Sequence, residues 1–318
     1  MSSKKKSNVP HSTKPLGARI YNNRWFYVMF LPVLVFILLF NYLPMLGVRY
    51  AFYDYKAVMA NGPEFVGLKH FTNLLQKDAF KDAFFNTLEL SIIKLLLNTF
   101  MAVVISLLLN EMKNLQAKKV IQTLIYLPHF MSWVVVASVF HLILSPSNDG
   151  LVNAFLVNAG IIEKGSEIYF LGSKTWWTPI YYIINIWKDT GWGTILYLAT
   201  LSGISPDLYE AAQIDGANRW NQMRFITLPA LYNTIITVLI LNLAKIMNLF
   251  ESVFVLYNTA VIEVSDVVQT YIYRQTFGIG NPNFGYTTAV GLFNSLVGCV
   301  LVLFCNYASK KVRGRGIV

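Results

Sequence analysis

Apolar residues recur along this chain in windows of about twenty, separated by short polar stretches. Six windows reach the length that a helix needs to cross a bilayer, about 20 residues. They lie near Trp25–Leu46, Asn86–Leu109, Val120–Leu144, Thr178–Leu201, Leu228–Phe250 and Tyr286–Ala308. Within hydrocarbon the backbone has no solvent partner, so each window is predicted to be a helix and the fold class all-α. Between the windows, residues 151–162 and 266–277 have the pattern of short helices. Asn281-Pro282-Asn283-Phe284-Gly285 breaks the chain before the last window. No internal repeat is evident.

Composition agrees. The 318 residues are 55% hydrophobic and 13% charged, against about 45–50% and about 25% in soluble domains. The basic residues divide unevenly. With the N-terminus inside, fifteen fall on cytoplasmic segments: Lys4, Lys5, Lys6, Lys14, Arg19 and Arg24; Lys113, Lys118 and Lys119; Arg219 and Arg224; and Lys310, Lys311, Arg313 and Arg315. Eight fall on the longer opposite loops. The positive-inside rule then places both termini in the cytoplasm. This pattern makes residues 1–24 a basic tail and 25–46 an uncleaved anchor that becomes the first span. Residues 47–85 become an extracytoplasmic loop, 86–308 a five-helix core and 309–318 a second basic tail. The expected location is a cell membrane, crossed several times. The net charge of +10 sits beside apolar windows and belongs to lipid headgroups rather than nucleic acid.

Catalytic and cofactor chemistry finds no support. No Gly-x-x-x-x-Gly-Lys-Ser/Thr loop is present, so this chain holds no nucleotide by that device. Asp189-Thr190-Gly191 occurs once, inside a window. The histidines His11, His70, His129 and His141 have no metal-ligand spacing, and Cys299 and Cys305 both lie in the last apolar window. Neither a metal nor an enzyme activity is expected.

The polar segment between the fourth and fifth windows, residues 203–228, reads as helix, turn, helix. Ser205 can cap the first helix, with Pro206 at its first position and Asp207 at the positive end of the helix dipole. Gly216 can adopt the left-handed conformation that ends it, and Asn218 can cap the second. The segment is too polar to cross a membrane. It presents Tyr209, Ala211 and Ala212, then Trp220 and Met223, as a knob suited to a partner's groove.

Here Glu210-Ala211-Ala212, then Gly216, nine residues, and Ile226-x-Leu228-Pro229 resemble the EAA signature of binding-protein-dependent ABC importer permeases. Trp187-Lys188-x-x-Gly191 and Tyr197-Leu198-Ala199 resemble the sugar branch, and the layout is most similar to the LplB/YteP-like polysaccharide group. The resemblance implies a type I importer fold of six transmembrane helices (MetI-like) that imports an oligosaccharide or polysaccharide fragment. It further implies a cytoplasmic ABC ATPase dimer that hydrolyses ATP/Mg, a second and different permease, and an extracellular solute-binding lipoprotein. On that reading Tyr209, Glu210, Ala211, Ala212, Asp215, Gly216, Trp220 and Met223 form the ATPase-coupling site. Glu210 contacts the ATPase, the alanines permit close approach and Gly216 makes the bend.

Charges inside spans are costly and face a partner or a water-filled path, which singles out Lys94, Lys188, Asp189 and Lys245. Sugars need aromatic faces with amide or hydroxyl partners. Tyr182, Asn185, Trp187, Lys188, Asn242 and Asn248 supply that chemistry and are the expected pathway residues. Two other classes fit parts of the pattern: a membrane enzyme acting on lipid-linked sugars, and a non-transporting scaffold or sensor.

Overall fold

The computed structural model describes residues 16–147, 150–243 and 245–313. His11, the tail lysines Lys4, Lys5, Lys6 and Lys14, and Arg315 lie outside the described residues. The chain divides into two compact units, one ending at Tyr50 and the other beginning at Ala51.

The first unit contains α1 (Arg24–Ile37), which continues through a π-helical turn, Leu38–Tyr42. Together with the turns that follow, Arg24–Phe52 makes a helical run of 29 residues, long and apolar enough to cross a membrane. The π turn has a local cause. Pro44 lacks an N–H, and its ring would clash with the carbonyl of Phe40 four residues back. Widening the helix there relieves both problems. The same device recurs in the second unit, where the π turn Met223–Thr227 precedes Pro229.

The second unit opens with a two-residue antiparallel pair, β1 (Tyr53–Asp54) with β2 (Glu64–Phe65); with an isolated bridge between Lys56 and Asn283, it is the β structure among the described residues. There follow α2 (Lys69–Gln76), α3 (Asp78–Glu111), α4 (Leu115–Tyr126), α5 (Trp133–Ile143), α6 (Leu151–Asn158), α7 (Lys174–Leu201), α8 (Pro206–Ile214), α9 (Arg219–Gln222), α10 (Leu228–Leu243), α11 (Val268–Phe277) and α12 (Phe284–Arg313). The two short loop helices expected from sequence are α6 and α11, each somewhat shorter than its window.

Helices α3 and α7 form the central pair. Three apolar clusters follow their length. At the head of α3, Phe80 and Ala83 pack with Tyr271, Tyr286 and Val290. Next, Leu90 packs with Trp177, Tyr181, Val136 and Val253. At the far end, Ala102 and Leu109 pack with Tyr197, Leu201 and Leu231. Close approach to α7 depends on glycine. A Cβ on Gly191 would lie 2.3 Å from the carbonyl oxygen of Ile125, and one on Gly193 2.9 Å from Cβ of Ala102. Small residues at such crossings are how membrane helices bring backbones together.

The six windows do not all become straight spans. Among the described residues, four helices are long and apolar enough to cross: Arg24–Phe52, Asp78–Glu111, Arg219–Leu243 and Phe284–Lys311. The third window is broken. Leu115–Phe130 and Trp133–Ile143 meet at 103°, and they make a fifth span only if taken together. Pro128 tightens the chain into a 3-10 turn, Met131 is extended, and the Ser132 hydroxyl accepts from Val135 N–H to start a new helix. The fifth window also stops short, because α10 ends at Leu243 and residues 245–250 are turns before the short helix Glu251–Phe254. The fourth window is the 28-residue α7. Its length suffices to cross, but it is not among the helices apolar enough to do so by composition.

Candidate coupling site and polar core

Residues 205–228 fold into the expected hairpin. Pro206 starts α8, and Ser205 has the extended backbone of a cap although its hydroxyl makes no capping bond. Gly216 ends the helix with φ +77°. Its N–H donates to Gln213 O (3.0 Å), and Ala217 N–H donates to Ala212 O (2.8 Å). This paired closure satisfies carbonyls that the helix end would otherwise leave bare. Asn218 caps α9, its side-chain oxygen accepting from Asn221 N–H at 2.9 Å.

Three side-chain contacts brace the hairpin. The hydroxyls of Tyr209 and Thr227 lie 3.1 Å apart, Gln222 donates to Ala217 O at 3.0 Å, and Arg219 pairs with Glu111 at 3.3 Å. The last contact fixes the hairpin to the C-terminal end of α3. Tyr209 and Ala212 therefore form the half-buried inner face of α8, while Glu210, Ala211, Asp215 and Gly216 are exposed. Met223 is half-buried at the start of the π turn, whereas Trp220 is 63% exposed. The sequence reading missed Leu208, Ile214 and Phe225, all exposed apolar residues on the same hairpin, Ile214 at 88%. Their signal was legible as large apolar side chains on a segment too polar to be a span. The exposed face of the hairpin thus carries an acid, small residues and an apolar fringe.

The charged residues inside the second and fourth apolar windows form a second cluster. Lys188 is buried, and its ammonium donates to His129 O (3.0 Å), lies 3.8 Å from Asp189 Oδ1 and stands 5.2 Å over the Trp133 ring. Asp189 Oδ1 also lies 3.4 Å from His129 Nδ1, and the imidazole stacks on Trp192 at 5.1 Å. Lys94 of α3 is within electrostatic reach of Asp189. Asp189 thus faces both lysines, the His129 carbonyl completes Lys188, and these contacts tie α7 to the broken turn at Leu127–Phe130.

Of the pathway candidates, the structure brings Tyr182 and Asn185 together around Tyr181. Asn185 is fully enclosed; its amide donates to Tyr181 O at 2.7 Å, and its oxygen has no partner. The Tyr182 hydroxyl is likewise buried without a partner. Trp187 lies on the exposed side, edge-on to Phe140. Asn242 and Asn248 are exposed on either side of the break after α10, and Asn248 accepts from Gln269 at 3.0 Å. Three polar atoms that sequence reading passed over, Ser91 Oγ, Asn98 Oδ1 and Asn294 Oδ1, are also buried without partners. They are polar positions within apolar windows, the same signal that identified Asn185. Among the described residues, no group of three or more His, Cys, Asp or Glu could hold a metal ion.

Residues 102–314 match the family of binding-protein-dependent transport system inner membrane components. The chain belongs to that family. The match contains the whole hairpin, α7 and all of the last helix. The chain is 41% identical over 306 residues to the polygalacturonan/rhamnogalacturonan transport system permease protein YteP of Bacillus subtilis (strain 168), covering 96% of this chain and 93% of that one. A solved structure of a bacterial ABC transporter involved in the import of the acidic polysaccharide alginate contains a similar chain. That chain has a TM-score of 0.84 at 38% identity, covering 94% of this chain and all of that one. A second structure, of the bacterial alginate ABC transporter in complex with alginate pentasaccharide-bound periplasmic protein, gives a TM-score of 0.85 at 38% identity. It covers 96% of this chain and all of that one. The expected kinship with ABC importer permeases of the YteP-like group is borne out. The protein is accordingly an inner-membrane permease with the MetI-like helical fold.

Proposed function

We propose that this permease is one of two subunits forming the pathway by which an ABC importer takes up an oligosaccharide or polysaccharide fragment. Six helices cross the membrane, α7 among them, with both termini cytoplasmic and the 47–85 segment outside. The chain is a transport subunit and not an enzyme. A separate ATPase dimer hydrolyses ATP/Mg, a second, different permease completes the pathway, and an extracytoplasmic binding lipoprotein delivers cargo.

The observation that carries this reading is the braced, exposed hairpin fixed to the C-terminal end of α3. Glu210, Ala211, Asp215, Gly216 and Trp220 enter the ATPase cleft, with Leu208 and Ile214 at its rim. Tyr209, Ala212 and Met223 hold the hairpin in shape from behind. Closure of the ATPases then rocks the paired permeases between inward- and outward-facing states. Tyr182, Asn185 and Lys188 of α7, with Trp187, Asn242 and Asn248, are the pathway residues, exposed or re-paired as the helices rearrange. The kinship with carriers of acidic polysaccharides supports a polymeric sugar as cargo.

The test is co-purification of the affinity-tagged chain from native membranes. Wild type is expected to bring down an ATPase and a second permease, and a Glu210→Ala, Gly216→Pro double variant to lose the ATPase but keep the permease. Wild-type material that carries no ATPase after mild extraction would overturn the coupling role.

A further inference from the structure

A cavity lies at the end of α3 opposite the coupling hairpin. It has a volume of about 470 Å³, within the roughly 300–1,000 Å³ of small-molecule sites. Its walls come from four segments: Asp54 and Lys56 of the β1 strand region, Lys69, His70 and Lys77 of α2 and the turn after it, Arg274 of α11, and the stretch from Gly278 to Tyr286 that leads into α12. Helix α3 is 34 residues long, about 50 Å at 1.5 Å per residue. The Arg219–Glu111 pair sits at its far end. The cavity and the hairpin therefore lie at opposite ends of a helix longer than the bilayer core is thick, about 30 Å.

The charges of the cavity are not balanced. Lys56 pairs with Asp54 at 3.0 Å, and Arg274 pairs with Asp266. Lys69 and Lys77 have no carboxylate within ion-pairing distance among the described residues, and Lys77 Nζ stands 4.1 Å over the Tyr286 ring. The Nε of Arg274 is buried with no acceptor. The walls are held in place. His70 Nε2 meets Tyr53 O at 2.9 Å, Ala57 N–H donates to Pro282 O at 3.0 Å, and Gly285 N–H donates to Tyr55 O at 3.1 Å. A preformed concave site with two ammonium groups that no carboxylate meets, beside a guanidinium, carries an excess of positive charge and favours an anion over a neutral sugar. It suits a carboxylate, which lysine meets as a point charge.

We propose that this cavity is a receiving site for the uronate carboxylates of an acidic oligosaccharide, occupied as cargo passes from the binding protein to the membrane pathway. Lys69 and Lys77 attract the carboxylate, and the charge of Arg274 adds to the field. The proposal rests on the importer reading and names the chemical class of its cargo.

The test is equilibrium binding of trigalacturonate and of its fully methyl-esterified form to the transporter complex purified in nanodiscs. Wild type is expected to bind the acid at least about tenfold more tightly than the ester, with added salt weakening it. Lys69→Gln/Lys77→Gln is expected to lose about tenfold for the acid and nothing for the ester, and Lys69→Arg/Lys77→Arg to restore binding. Equal binding of acid and ester, or a Gln variant that binds the acid like wild type, would overturn the proposal. So would a Gln variant impaired only in stimulation by the binding protein, which would make the cavity a protein-docking site. Each of these outcomes leaves the importer reading standing, because the ATPase still co-purifies with wild type.

Discussion

At Gly191, one missing methyl group sets the distance between two helices. Any side chain there would place its Cβ 2.3 Å from the carbonyl oxygen of Ile125 and 3.0 Å from Cα of Tyr126. Both obstacles are backbone, which cannot swing aside as a side-chain tip can. Gly191→Ala should therefore push α4 and α7 apart, at an overpacking cost of about 1–3 kcal/mol, and disturb the Lys188–His129 contact one turn away. Gly291 supplies the contrast: it lies in α12, and a Cβ there would meet nothing within 4 Å. The same substitution should be neutral or slightly stabilising there, since alanine favours a helix over glycine by about 1 kcal/mol. Thermal unfolding of the two variants in detergent checks this. Equal melting points would mean that the close approach at Gly191 has no energetic weight.

Elements show what the sequence made legible and what it hid. Gly216 and Asn218 were readable because each acts on its immediate neighbours: a positive φ needs glycine, and an Asn side chain reaches an N–H three residues on. The break at Met131–Ser132 was not readable, since an apolar window averages over Pro128 and the Ser132 cap that divide it. The inward turn of Tyr209 depends on how α8 packs against the chain after α9, which period alone leaves open. The cavity was invisible for a related reason, as its walls are more than 200 residues apart in sequence. There, Asp54 joins the strand region to the start of α12, accepting from the Asn283 amide and pairing with Lys56. The hydrogen bond from Lys56, then that from Asn283, together with the nearby positive charge, holds the Asp54 carboxyl below its usual value of 3.8. A depressed native pKa means that this stabilisation is fully present above the unfolded value and is lost as pH falls through the lowered native one. Amide exchange in 53–66 and 281–285, relative to the intrinsic rate at each pH, should therefore quicken on acidification below about pH 3.8. In Asp54→Asn it should already be faster at neutral pH and lose that acid-dependent step. An acid step that persists in the variant would assign it to another group.

For the whole molecule, the geometry constrains how many times the chain crosses. The hairpin at Arg219 meets Glu111, so the end of α3 and the start of α10 lie on one side of the membrane. Between them the chain must cross an even number of times. The broken pair α4–α5 and the charged helix α7 therefore either both cross or both fail to cross. Helix α7 carries Lys188 and Asp189 near its middle, which by composition argues against lipid. Yet those charges are matched by His129 and Lys94 on neighbouring elements rather than left bare, which is how a span accommodates charge. Both elements should therefore cross. Cysteine labelling decides this, starting from a chain in which Cys299 and Cys305 are replaced by alanine. Gly62→Cys and Ser166→Cys should react with a membrane-impermeant maleimide added outside intact cells, and Asn221→Cys only after the membrane is opened. Gly62 and Asn221 are separated by α3 in either case and serve as references for the two sides. Protection of Ser166→Cys alongside Asn221→Cys would mean that α4–α5 and α7 dip back on one side, leaving four crossings. Labelling from outside means that a helix too polar to be counted by composition is carried across the bilayer by charges paired within the bundle.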